Sequence, residues 1–470
     1  MARTMLLSLP TELIQNILRF CTPQTVAAFS QICRLAFALV YGTEDQHLWR
    51  EVFLSVPFDD LRVSPDHDPN VPINWKTELQ RRVRASSVVA FTPKDIPLPS
   101  EVHEAVSDAF ETLVEVAHSA IPPFRTDPDS SPVPSHNMRW LTDALARCAL
   151  FYHPESSTNF NVRSDHLQRL LAYWGVPLRG VPTGNLRTES RCFVYDLRNY
   201  TLETNWGVYR ETGTEQLDET RARYIYEANW EHIKHCVNTV LFGVVAKLLC
   251  PPMGFDFIRA YSAPGSFDRK PGDWAGVEGV WVRYVCFMDY SDLAVILEFN
   301  WSRTDGPCNP EFFSRPGFIE VLRSIRVEIQ LLGPGDTPTA VVPPPVHADP
   351  KYPRLHFKGT GARTLQSGIQ DDTSVNGHVD RYLDGTIQWT FVSQYGNVLW
   401  MFDGVQLGAV CSAAGVVGTW TSTRHRPGKI IPASWANDDC SQTSQVTLAV
   451  HRGCGKSIPK DQIQRNEIRR

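Results

Sequence analysis

The segment Glu231-His232-Ile233-Lys234-His235-Cys236 crowds side chains capable of metal ligation or proton transfer into six residues. A zincin needs the order H-E-x-x-H, which puts two imidazoles and a general base on one helix face, and this order does not supply it. His232 and Cys236 lie four apart and share a helix face, but they are two ligands where structural zinc takes four. Gly453-Cys454-Gly455-Lys456-Ser457 has the closing residues of a phosphate-cradling loop without its upstream glycine spacing or strand-then-helix setting. The sequence contains no G-x-S-x-G nucleophile elbow. No cysteine has a persuasive basic setting for an activated thiolate. The expectation is a non-catalytic protein with no catalytic residues, no metal site and no cofactor.

The elements around these residues must then serve binding. At 470 residues the chain exceeds one ordinary core, and two or three domains are expected. A net charge of −5 excludes a chain-wide basic surface for nucleic acid. Only the stretch 452–470 is clearly basic, and it reads as a disordered tail. Eleven scattered cysteines without a C-x-x-C pair fit reduced thiols in a cytoplasmic or nuclear protein. The apolar run at Met5-Leu6-Leu7 meets Pro10 and Glu12 too soon for a signal peptide. No window offers the ~18 uncharged apolar residues of a membrane span.

The N-terminal 5–56 reads as three short amphipathic helices. Pro10 suits a helix start and Glu12 suits the positive end of its dipole. Leu13, Ile14, Ile17 and Leu18 follow at helical spacing. Thr22-Pro23 repeats the start signal, and Val26, Phe29, Ile32, Cys33 and Ala36 form the next stripe. Leu48, Trp49, Val52 and Phe53 complete a third segment. So small a bundle is marginal alone, and its wide stripes should leave apolar surface for another protein.

In order and spacing, Leu9-Pro10-Thr11-Glu12-Leu13-Ile14, Ile17-Leu18, Ile32-Cys33-Arg34 and Leu48-Trp49-Arg50 resemble the F-box. The resemblance implies binding to a Skp-type adaptor and, through it, to a cullin. It assigns Leu9, Pro10, Leu13, Ile14, Ile17 and Leu18 to adaptor contact and Ile32 and Trp49 to the F-box core.

Downstream, 74–175 reads as a helical connector. It opens on Trp75-Lys76-Thr77-Glu78-Leu79-Gln80, and a similar segment often follows the F-box in fungal F-box proteins. From Arg191 the pattern turns β-rich: strands are expected over Arg191–Asp196, Gly279–Phe287 and Leu293–Phe299, and another within Phe318–Leu332. The segment 333–353 carries seven prolines and reads as a flexible loop. Asp384-Gly385, Tyr395-Gly396-Asn397 and Asp403-Gly404 read as successive hairpin turns, the first as type I′. Between them Ile387, Trp389 and Phe391, then Val398, Trp400 and Phe402, alternate on one face. Such a meander must close or pack to remove its edges.

This region is similar to the C-terminal part of F-box proteins of mushroom-forming fungi. The resemblance runs through Trp389, Gly396, Trp400, Gly404-Val405-Gln406, Gly415-Val416 and Trp420, with Gly279, Trp281, Arg283 and Asp289-Tyr290 in an earlier block. It also resembles the lipocalin-like receptor domain of some animal F-box proteins. The expected fold class is α+β multidomain: a three-helix F-box, the helical connector, and an antiparallel β-barrel-like recognition domain over 190–425 with helical insertions near Leu217–Leu249. The Trp281, Trp389, Trp400 and Trp420 stripe is either barrel core or a mouth where a protein segment docks. On the second reading Trp389, Trp400 and Gln406 bind substrate.

The resulting expectation is the substrate-recognition subunit of an SCF-type ubiquitin ligase. It binds an unknown protein target and needs neither nucleic acid nor membrane. The alternatives are an F-box scaffold outside the ligase and a small-ligand-binding barrel.

Overall fold

The computed structural model describes residues 6–42, 46–56, 58–91, 100–123, 133–152, 164–179, 185–216, 222–247, 251–269, 272–288, 292, 309–315, 317–318, 320–333, 336, 345, 347–364, 370–395, 398–422 and 445–452. They fall into two units, 1–186 with 258–260, and 187–257 with 261–470. The expected strand Leu293–Phe299, the Tyr395-Gly396-Asn397 turn tip, Asp289-Tyr290 and the tail beyond Arg452 lie wholly or partly outside the described residues.

The first unit is helical. Its N-terminal part holds α1 (Thr11–Leu18), α2 (Pro23–Ser30), α3 (Arg34–Tyr41) and α4 (His47–Ser55), so the expected three helices are four. The extra break follows from capping. Thr22 accepts the Thr25 amide at the start of α2, and Pro23 occupies its first turn. Cys33 is extended, and its Sγ accepts the Ala36 amide at the start of α3. The stripe read as continuous from Val26 to Ala36 is therefore divided at Ile32. Ile14, Leu18, Val26, Leu39, Val40, Leu48, Trp49, Val52 and Phe53 share one core, joined by Phe58, Trp75 and Leu79. That extension onto the connector supplies the burial that the small bundle lacks alone.

The connector continues with α5 (Trp75–Phe91), α6 (Ser100–His118), α7 (His136–Leu145), α8 (Ala149–Tyr152) and α9 (Asp165–Trp174). A buried polar knot joins it to the N-terminal helices. The Arg82 guanidinium lies 5.0 Å from the Phe53 ring centre and 4.9 Å from that of Phe58. It donates to Asn137 Oδ1 (3.2 Å) and Ser119 Oγ (3.4 Å). The Asp59 amide donates to the same Asn137 oxygen, and the Asp59 carboxylate accepts from Ile121 N, His136 N and Ser135 Oγ.

The second unit opens with α10 (Leu186–Val194), β1 (Tyr209–Gln216), β2 (Ala222–Ala228) and α11 (Trp230–Ala246). Residues Arg191 to Val194 are helical, which corrects the expected strand. The apolar run there is too short to fix a period, and the preceding Leu186–Ser190 supplies the first turn. Arg191 donates two hydrogen bonds to Glu320 and one to Phe313 O, tying α10 to the strand that Glu320 opens.

The main sheet has eight antiparallel strands: β3 (Gly279–Met288), β4 (Glu320–Leu331), β5 (Leu355–Thr364), β6 (Gln370–Arg381), β7 (Ile387–Tyr395), β8 (Val398–Gln406), β9 (Val416–Ser422) and β10 (Gln445–Arg452). β10 pairs with both β9 and β3, which closes the sheet into a barrel and leaves it no free edge. The expected boundary at 425 thus falls one strand short, and Arg452 ends a strand instead of opening the tail. α11 packs against β3, β4, β9 and β10.

Two turn assignments change. Around Asp384-Gly385 only Gly385 has positive φ, and Tyr382 N and Thr386 O close a longer loop, so the turn is not type I′. Asp403-Gly404 lies within β8, paired with Thr390 and Trp389 on one side and Thr419 and Gly418 on the other. Gly404 serves close approach: a Cβ there would lie 2.5 Å from the Phe402 ring and 2.7 Å from Val417 O.

Candidate protein-binding surface

α1 carries apolar side chains on two faces. Ile14 and Leu18 point into the core. Leu13 and Ile17, one residue earlier and about 100° round the helix, stay 49% and 45% exposed. Phe20, 77% exposed, extends that face by another turn, and Leu9 is exposed just before the helix. A second exposed group, Ile32, Leu35 and Phe37, lies at the turn from α2 into α3 and on α3. Exposed apolar surface grouped in this way is the kind that marks a contact site for another protein. Fully burying a leucine-sized side chain is worth about 1.5–3 kcal/mol, so each half-exposed one retains roughly 1 kcal/mol for association.

The geometry redistributes the expected roles. Leu9, Leu13 and Ile17 are available for contact, whereas Ile14 and Leu18 are core. Ile32 is corrected in the other direction. It is 68% exposed because it sits in the turn that Cys33 caps, off the buried stripe. Trp49 is buried, with its indole N–H donating to Val40 O at 3.1 Å. Pro10 contributes backbone: its carbonyl accepts from Leu13 N and Ile14 N. Leu35 and Phe37 add to this exposed surface, and with Ile32 they make an apolar excess that α3 cannot bury on one face.

The barrel stripe is interior. Trp281 and Trp389 rings meet edge-on at 5.1 Å, Phe391 and Phe402 stack at 4.5 Å, and Trp420 contacts both phenylalanines at 5.4 Å. The Trp389 indole N–H donates to Gln406 Oε1 (3.0 Å), and Gln406 Nε2 donates to Ala409 O (3.0 Å). Both side chains are buried, the indole bonded to Gln406 and the Gln406 amide to Ala409 O, so neither is exposed for a substrate, and that part of the expected substrate site is corrected to core. Trp400 is half-buried. The Arg283 guanidinium lies 4.2 Å over the Trp420 ring.

The α10–α11 contact gathers His235 Nδ1 and Ser190 Oγ at 3.1 Å and His235 Nε2 and Glu189 Oε1 at 3.9 Å. Ser190 and His235 are fully buried, so this Ser–His–Glu alignment presents no nucleophile to solvent. His232 Nε2 faces the Tyr200 hydroxyl at 3.3 Å, and burial drives its imidazole down to about 3. Burial raises the Cys236 thiol well above its ordinary range. Among the described residues no cluster of His, Cys, Asp and Glu is placed to hold a metal ion. No described helix is long and apolar enough to cross a membrane.

No curated protein and no solved structure matches the chain. The exposed apolar faces of α1 and α3, however, belong to a segment that does have a known counterpart: residues 6–41 match the F-box domain, and the chain carries that domain at its N-terminal end.

Proposed function

We propose that this chain is the substrate-recognition subunit of an SCF-type ubiquitin ligase. Its F-box takes a Skp-type adaptor, and through that adaptor a cullin. Its C-terminal barrel unit takes the protein target. The observation that carries the reading is the exposed row Leu9, Leu13, Ile17 and Phe20 on a domain that matches the F-box. The receptor needs no chemistry of its own, because holding a target lysine beside a charged ubiquitin carrier raises its effective concentration. The free thiols Cys21 and Cys33 fit a reducing cytoplasmic or nuclear setting.

The test is affinity purification of wild type and the Leu13→Asp/Ile17→Asp variant from cells with the proteasome blocked. The reading expects the adaptor and cullin with wild type only, and target proteins enriched on the variant. Equal adaptor recovery from both, or no protein that accumulates on the variant, rejects it.

A further inference from the structure

The outer wall of the barrel carries a polar row that water would ordinarily cover. Thr390, Asp403 and Thr419 are direct cross-strand neighbours on β7, β8 and β9. Thr390 Oγ1 donates to Asp403 Oδ1 at 2.7 Å. Asp403 and Thr419 are buried, and Thr419 Oγ1 has no hydrogen-bond partner among the described residues. No cation pairs with Asp403 among those residues. The ionisable groups near it are Tyr209 on β1, His378 on β6, which is the cross-strand neighbour of Thr390, and beyond them Tyr382 and Asp380. Burial holds His378 down to about 4, so it is neutral from pH 5 upward, and the Arg354 charge is taken up by Asp380.

The segment leading into β1 covers this row, while α11 packs on β9 beside it. Asn205 and Trp206 follow each other at φ 50° and 58°, a left-handed conformation that tryptophan resists. Gly207 then presses on the row: a Cβ there would stand 2.7 Å from Thr419 Oγ1 and 3.9 Å from Asp403 Cβ. The Tyr209 hydroxyl donates to Gly404 O at 3.0 Å, and Asn229 N donates to Val208 O at 2.9 Å. A strained turn thus holds a carboxyl group and an unpartnered hydroxyl out of water, an arrangement with a standing tendency to open.

We propose that Thr201–Gln216 with Ala222–Ala228 is a displaceable cover on the barrel wall, seated while the Asp403 carboxyl is protonated and loosened when it ionises. Burial pushes Asp403 up to about 6, with the Thr390 hydrogen bond opposing. Exposed, the carboxyl returns to its ordinary value near 3.8. The opening constant of the cover therefore rises about tenfold between pH 5 and pH 7.5.

Hydrogen exchange of the Trp206 and Asn229 amides in the full chain reads this opening, after correction for intrinsic rates. Wild type should open about tenfold more at pH 7.5. Asp403→Asn should remain at the acid value throughout. Thr390→Val removes the bond that favours the ionised form, so its rise should move to higher pH. It also carries the test if Asp403→Asn does not fold. Opening independent of pH in wild type, a full rise in Asp403→Asn, or an unmoved midpoint in Thr390→Val overturns the proposal.

Discussion

Arg82 is a fully buried arginine at the joint between the F-box and the connector, and replacing it separates packing from charge. Arg82→Ala removes the stem between Phe53 and Phe58, two ring contacts, and the donors to Asn137 and Ser119. Lost packing and two broken buried hydrogen bonds sum to a cost of about 3–5 kcal/mol. Arg82→Met keeps most of the stem and discards the charge. Desolvation outweighs Glu78 and Asp59 and pulls the guanidinium down to about 10, so the charged form is held at a net penalty of about 3 kcal/mol. Relief of that penalty offsets most of the lost bonds, and Met should cost about 1 kcal/mol or less. Native-state hydrogen exchange of α5 and α7 amides in the full chain reads both. Unchanged protection in Arg82→Ala would show that the knot does not hold the joint. A Met variant as labile as Ala would refute the desolvation argument.

Further outcomes follow from the same geometry. Burial holds His232 at about 3 and His378 at about 4, so the unfolded chain binds more protons below the ordinary histidine value near 6.5 and stability falls as pH drops through that window. Each removes about 2 kcal/mol between pH 7.5 and 5, while Asp403, shifted upward, returns about 1 kcal/mol. Urea midpoints at the two pH values should therefore be lower at pH 5, and an equal or higher midpoint contradicts the assignment. Gln406→Leu leaves the buried Trp389 N–H without its acceptor and should cost about 1–3 kcal/mol in urea unfolding. Less than half a kcal/mol would mean the indole finds another partner. Gly404→Ala forces a methyl into the Phe402 ring and Val417 carbonyl and should cost about 1–3 kcal/mol, read the same way. A neutral effect would show that the wall yields.

The parts of this fold legible in the sequence are those set by local period. Alternation along Ile387–Phe391 and Val398–Phe402 marks strands whose inward aromatics do meet. The Thr22-Pro23 start and the Trp49 anchor are likewise local. The break at Ile32 is set by the local Cys33 cap, whereas the other failures turn on neighbours distant in the chain. Leu13/Ile17 and Ile14/Leu18 are equally helical pairs, and only α3 and α4 decide which is buried. Gly404 looks like a turn glycine until Val417 on the neighbouring strand claims its space. Arg191 looks strand-like until Glu320 on β4 fixes it on a helix. The Arg82–Asn137–Asp59 knot joins groups 55 to 78 residues apart, and no spacing rule reveals it.

The proposed adaptor contact uses the exposed face of α1. It is tested most directly by calorimetric titration of the full chain and its Leu13→Asp/Ile17→Asp variant with a purified Skp-type adaptor. Two half-exposed apolar side chains forfeit about 2 kcal/mol, and two unpaired carboxylates add a desolvation penalty at the contact. Binding by wild type and at least about a hundredfold weaker binding by the variant, at unchanged thermal midpoint, is the predicted result. No binding by wild type, or equal affinity for both, would contradict the account.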